Sequence, residues 1–243
     1  MFEFFKYGLL KRKDSLQSNI DLHSHFIPDI DDGSESIKES LTLIRQMKNL
    51  GYKKLITTPH IMSHRYPNDI KTIKNGLFEL RSILKVENID IELEAAAEYY
   101  CDEHFFDLIQ KKELLSFGEN YILFEFSYTT RPVNLEKCVK ALIVKGYKPV
   151  LAHPERYRFL KDVTCFRNLK KLGMLFQINV NSLNGFYGQE AQKKSLMLGQ
   201  KGMVDFIGSD IHHQKNLDAY KKNIVSNHVE MIFRNNKILN KTL

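Results

Sequence analysis

The chain has 243 residues, 43% of them hydrophobic and 27% charged, with a formal net charge of +7. These values exclude collagen-like, coiled-coil and disordered classes, and three widely spaced cysteines exclude a disulfide scaffold and favour a reducing, cytoplasmic setting. The length is ample for a sizeable core, and the basic balance suits an anionic partner such as nucleic acid, anionic lipid or a phosphorylated substrate.

Residues 1–13 mix Phe2, Phe4, Phe5, Leu9 and Leu10 with charged residues and predict an amphipathic helix packed on the domain, with membrane or partner docking as the alternative. No small-residue cleavage site follows, so no secretory signal is expected. No apolar run reaches the ~18 residues of a spanning helix. Residues 1–18 read as an N-terminal extension and 19–243 as one domain.

Seven short apolar runs rich in β-branched or aromatic residues predict strands at 20–22, 55–58, 89–97, 121–126, 149–152, 175–180 and 204–208. Helical spacing predicts helices over 34–50, 68–84, 134–145, 189–198 and 227–239, with Gly51 as the C-cap of the first. Such alternation implies parallel strands joined by right-handed crossovers.

Nearly every predicted strand ends in a residue type that binds metal. The first runs into His23 and His25, the second into His60 and the third into Glu98. The fourth carries Glu125, the fifth ends at His153, and the seventh ends at Asp210 with His212 beyond it. The sixth is the exception and ends Asn179-Val180-Asn181. His23 and His25 lie one residue apart and can share a face of a strand. Singly, His60 or His153 would read as a hydrogen-bonded histidine, and Asp32 as a turn or cap residue. Glu98 and Glu125 are harder to read that way, because an ionised carboxylate in an apolar strand needs a partner. Seven strand ends in an open sheet would span about 30 Å at ~4.8 Å per strand, too far to share one cluster. A closed ring brings them together, and parallel barrels place their sites at the carboxyl ends of the strands. The expected fold is therefore an α/β, TIM-like barrel.

The set His23-x-His25, Asp32, Thr58-Pro59-His60, Glu98, Glu125, Ala152-His153-Pro154-Glu155-Arg156 and Ser209-Asp210-x-His212 resembles the polymerase-and-histidinol-phosphatase (PHP) superfamily. Within it, the run from His23 to Gly33 is most similar to the manganese-dependent protein-tyrosine phosphatases of bacterial capsular and exopolysaccharide loci. The resemblance spans about 20–212 and implies a distorted (β/α)7 barrel with three divalent ions. It implies one ion on His23, His25, Glu98 and Asp210, a second on Asp32, His60 and His212, and a third on Glu98, Glu125 and His153, with Glu98 bridging. It further implies Mn²⁺, although a His/carboxylate shell also suits Fe or Zn²⁺. Two departures stand out. Ile61 follows Thr-Pro-His where the family has a second His, and Lys215 stands in a region that often holds an Arg.

The implied activity is hydrolysis of phosphotyrosine by metal-activated hydroxide, on the tyrosine-rich tail of a bacterial kinase controlling polysaccharide export. Glu98 and Arg156 are the expected catalytic residues, with Arg156, Arg65 and Lys215 as the cations for phosphate. Alternatives on the same fold are a small-molecule phosphomonoesterase such as a histidinol phosphatase, or a nuclease. No nucleic-acid partner is expected under the leading reading, and a homo-oligomer is compatible with it. Cysteine-phosphatase chemistry is excluded, because Asp107, Val144 and Lys171 stand where Cys-x5-Arg would need arginine after Cys101, Cys138 and Cys165.

Overall fold

A computed structural model of the chain describes residues 18–243. The helix expected over 1–13 lies outside the described residues, as does the expected extension apart from residue 18. The elements alternate. They are β1 (Ile20–Ser24), α1 (Ile37–Leu50), β2 (Lys54–Thr57), β3 (His60–Ile61), α2 (Ile70–Val86), β4 (Glu92–Ala95), β5 (Glu98–Tyr100) and α3 (Glu103–Lys111). There follow β6 (Tyr121–Glu125), α4 (Leu135–Val144), β7 (Lys148–Ala152), α5 (Val163–Lys171), β8 (Leu175–Asn179), α6 (Gln189–Gln200), β9 (Phe206–Ile211), α7 (Gln214–Asn223) and α8 (Asn227–Asn235).

Every strand pairing is parallel, in the order β3-β5-β6-β7-β8-β9-β1-β2-β4. The two ends of that order are covalently continuous with its interior. β2 passes into β3 through Thr58-Pro59, and β4 into β5 through Ala96-Ala97. The amides of Ala96 and Glu98 donate to the carbonyls of Thr57 (2.9 Å) and Pro59 (3.1 Å), so the ladder continues across both interruptions. Seven chain passes thus close a distorted barrel, as the sequence predicts, with its second and third strands each split in two. Pro59 has no N–H to give a ladder, which favours a break there. The third strand starts later than expected. Asn88 turns left-handed (φ 53°) and the Ile89 amide donates to Leu84, ending α2, so the chain regains extended form only at Glu92.

The alternation of side chains sorts the apolar residues into two layers. Leu22, Ile56, Leu123, Val150, Ala152 and Phe206 fill the barrel interior. A larger layer, including Leu43, Met47, Phe124, Leu151, Phe176 and Ile178, lies between strands and helices. The expected helices are present with ends shifted by a few residues. Ser36 caps α1 by accepting from the Glu39 amide, and Gly51 closes it at φ 109°. The helices α3, α5 and α7 were not foreseen. Asp102 and Asp162 cap the first two through the amides of Phe105 and of Thr164 and Cys165. Among the described residues no helix is long and apolar enough to cross a membrane.

Candidate metal centre

The carboxyl ends of the strands open into a cleft of about 480 Å³. His23, His25, Asp32, His60, Glu98, Glu125, His153, Asp210 and His212 all converge at its floor. Their donor atoms fall into overlapping groups, each within 4.8 Å: His25, Asp32, His60 and His212; His23, His25 and Asp210; His23, Glu98 and His153; His60, Glu98 and Glu125.

Three of these residues sit at strand ends in the left-handed region, His23 at φ 77°, His153 at φ 33° and Asp210 at φ 50°. Side chains other than glycine visit that region rarely, and where they do the strain collects at functional sites. At His23 the β1–β9 register shifts, a bulge that re-aims the side chain.

Glu98 is the centre of the cluster. Its Oε1 lies 3.0 Å from His153 Nε2, and its Oε2 lies 2.9 Å from His23 Nε2. The same Oε2 is 3.5 Å from His25 Nε2 and 3.5 Å from His60 Nδ1. Burial works against ionising Glu98, but the imidazoles of His23 and His60 outweigh it and hold the carboxyl well below its usual range. Glu125 goes the other way. Burial, and then the charge of Glu98, push it up to about 8. Two neighbouring carboxylates are driven apart in this way when both cannot ionise cheaply in the absence of added cations. His23 shows the balancing response: burial would lower it, yet Glu98 and Asp210 raise it to about 9.

The donor set fits divalent metal. His25 Nε2 and His60 Nδ1 are buried without a hydrogen-bond partner, and both aim at Glu98. Nitrogen and oxygen donors without sulfur suit Mn²⁺, Fe or Zn²⁺. The groups differ from those the resemblance implies. His25 joins Asp32, His60 and His212; Glu98 groups with His23 and His153; and His60 shares the group with Glu98 and Glu125, while His153 Nε2 stands 3.7 Å from Glu125 Oε2.

Residues behind the cluster fix its orientation. Asp31 Oδ2 accepts from His25 Nδ1 (2.7 Å) and from the His60 amide (2.9 Å), and its Oδ1 accepts from the Gly33 amide (2.9 Å). Burial opposes its charge, but the His25 imidazole holds it at about 2. Asp210 Oδ2 accepts from Asn179 Nδ2 (2.5 Å), Tyr187 Oη (3.0 Å) and Arg156 Nη1 (3.1 Å), leaving Oδ1 to face His23 and His212.

Arg156 is a clamp on the cleft wall. Its guanidinium carbon lies 4.4 Å from the Tyr128 ring centroid and 4.3 Å from that of Tyr187. Arg65 also lines the cleft, exposed and 5.0 Å from the Tyr66 ring. Lys215 is not brought there. It lines an adjoining shallow groove beside Phe186, and its neighbour Asn216 faces the cleft instead. Sequence reasoning missed Asp31, Gln177 and Tyr128, and read Asn179 only as the end of the strand without a metal-binding residue. A usable signal existed for two of them: Gln177 and Asn179 are polar residues at alternate, inward positions of an otherwise apolar strand.

Comparison with known proteins agrees with this architecture. Residues 19–237 match the family model described as capsular polysaccharide synthesis, CpsB/CapC. The tyrosine-protein phosphatase YwqE of Bacillus subtilis is 31% identical over 198 residues, covering 81% of this chain and 78% of that protein. The tyrosine-protein phosphatase CpsB of Streptococcus pneumoniae is 28% identical over 207 residues, covering 82% and 84%. A chain from the crystal structures of YwqE and CpsB, described as metal-dependent tyrosine phosphatases, aligns with a TM-score of 0.74 at 28% identity and covers 90% of this chain and 96% of that one. Over nearly its whole described length, then, this chain belongs to the CpsB/CapC family.

Proposed function

We propose that this chain is a metal-dependent protein-tyrosine phosphatase. The observation that carries the reading is the convergence of five imidazoles and three further carboxylates around Glu98, with the Arg156 guanidinium on the wall of the same cleft. His23, His25, Asp32, His60, Glu98, Glu125, His153, Asp210 and His212 would hold the ions. Divalent ions in such a shell lower the pKa of water and neutralise phosphoryl oxygens.

The chain's own residues supply the rest. Arg156 is gripped by Asp210 through one nitrogen and stacked between two tyrosines, so its plane is set before substrate arrives. Its remaining N–H donors are left for phosphoryl oxygens. Tyr66, Tyr100, Tyr128 and Tyr187 line the cleft and give an aryl ring apolar surface. A tyrosine leaving group needs little protonation, since a phenol has a pKa of ~10. Arg65 at the rim is a second cation for substrate. For Lys215 we propose contact with parts of a protein substrate beyond the phosphoryl group.

The finer assignments rest on the resemblance and the donor chemistry. Mn²⁺ is the proposed resident ion, and the proposed substrate is the phosphorylated tail of a bacterial tyrosine kinase acting in the cytoplasm in polysaccharide production. The test is metal analysis of the purified protein followed by assays on a phosphotyrosine peptide, histidinol phosphate and single-stranded DNA. Preferential, chelator-sensitive turnover of the peptide is expected. Turnover of DNA without phosphotyrosine hydrolysis, or full activity after exhaustive chelation, overturns the reading.

A further inference from the structure

Of the seven described passes of the barrel, the one made by β8 gives no ligand to the cluster. It nevertheless contacts two ligand residues through inward-facing side chains that are fully buried, Gln177 and Asn179. Gln177 Oε1 is 2.7 Å from His23 Nδ1. Gln177 Nε2 donates to Asn179 Oδ1 at 2.9 Å, and Asn179 Nδ2 donates to Asp210 Oδ2 at 2.5 Å. The direction of this chain is set at one end. An ionised Asp210 only accepts, so Asn179 must present its NH₂ there and its oxygen to Gln177. Gln177 must then donate to Asn179 and turn its own oxygen to His23. His23 in turn must keep its proton on Nδ1, so the nitrogen that can exchange its proton for a metal ion is Nε2, which faces Glu98 and the cluster.

A second observation supports the design. Gly208 of β9 pairs with Asn179 of β8 and Leu22 of β1. A Cβ at position 208 would lie 2.5 Å from Gln177 Nε2 and 2.6 Å from the Leu22 carbonyl. The missing side chain is what admits the Gln177 amide between the two strands.

We infer that Gln177 and Asn179 are positioning residues that fix the tautomer of His23 and the rotamer of Asp210. The ligandless strand thereby sets both groups for metal before any ion binds. This rests on the metal-centre reading above and extends it to residues that touch no ion.

Zn²⁺ is the probe, because it is diamagnetic and its binding can be followed without any phosphatase assay. Wild-type protein, Gln177→Met, Gln177→Glu and Asn179→Ala are stripped of metal and titrated with Zn²⁺ against a chelating dye. Imidazole ¹⁵N shifts are recorded for the loaded forms. Partners behind a metal-bound histidine are commonly worth 10–100-fold in affinity, so Gln177→Met and Asn179→Ala should weaken the affected Zn²⁺ site by about that factor. Gln177→Glu keeps the acceptor for His23 but loses the donor to Asn179, so it should recover only part of the loss. In wild type, the His23 Nδ1 should show the shift of a protonated nitrogen and Nε2 that of a coordinated one.

Wild-type affinity in both Gln177→Met and Asn179→Ala, or coordination through His23 Nδ1, overturns the inference. Should Gln177→Met fail to fold, the wild-type imidazole shifts and Asn179→Ala still decide. Failure of wild-type protein to bind Zn²⁺ overturns the metal centre as well. A protein that binds Zn²⁺ as expected but hydrolyses no phosphotyrosine overturns only the proposed activity.

Discussion

Arg156 is held by two different interactions, and they predict different substitution effects. The Asp210 carboxylate fixes one nitrogen, while Tyr128 and Tyr187 fix the plane. Arg156→Ala removes a charged donor to substrate, worth about 1.5–3 kcal/mol, so kcat/KM on a phosphotyrosine peptide should fall roughly 10–100-fold. Asp210 Oδ2 keeps Asn179 and Tyr187 as donors, so metal content should stay at the wild-type level. Arg156→Lys should recover little, since a lysine offers neither the fork nor the stacked plane. An unchanged kcat/KM in Arg156→Ala removes the residue from the site. Asp31 makes the complementary case, acting on metal rather than substrate. It takes the proton side of His25 and the amide of His60 at once. Asp31→Ala should weaken metal binding about 10–100-fold, read by chelator competition. Equal affinity would show that the His25 ring is held by packing alone.

At the scale of elements, the turn between β1 and α1 is tightly packed against the site. The Ser34 amide donates to the His25 carbonyl at 3.1 Å, and the Asp29 amide to the Ser34 carbonyl at 2.9 Å. This folds Asp31 and Asp32 back over His25. Gly33 sits at the closest approach, where a Cβ would run into the Cβ and carbonyl oxygen of His25. Gly33→Ala should cost about 1–3 kcal/mol, the range for forcing atoms into a packed site. Urea unfolding of metal-free protein checks this, and a midpoint equal to wild type would show that the turn can move aside. Such close approaches explain what the sequence does and does not reveal. Strand passes are legible because Ile20, Leu55, Ile122, Val150, Phe176 and Phe206 mark apolar runs of strand length. Ligand residues are legible because they recur at the ends of those runs. The helix α7 is not, because only Leu217 and Tyr220 of its residues are buried. The pair His23 and Gln177 is not, because the two are 154 residues apart and meet only when the barrel closes. Interruptions such as Ala96-Ala97 also escape, since small apolar residues suit a continuous strand equally well.

At the scale of the whole molecule, a chain of net charge +7 carries a floor of carboxylates and imidazoles, and that floor predicts how metal and pH act together. In metal-free protein, His23 is raised from 6.5 to about 9 by Glu98 and Asp210 against the opposing effect of burial. Glu125 is raised from 4.5 to about 8, chiefly by burial and then by Glu98. Both groups bind protons more tightly folded than unfolded. The stability they contribute is therefore complete at low pH and is lost as pH rises toward 8 and 9. Metal binding runs the opposite way, because ions compete with protons for the same atoms and win as pH rises. At an ion concentration 100 times the dissociation constant, one site adds about 2.7 kcal/mol, or about 5–10 °C in a chain of this size. The melting temperature of chelated protein should consequently fall between pH 6.5 and 9, while that of Mn²⁺-loaded protein should hold or rise. The gap between the two should widen across that interval. Parallel melting curves would instead mean that the cluster's protons and the ions do not compete, and that the nine side chains are not the ligands.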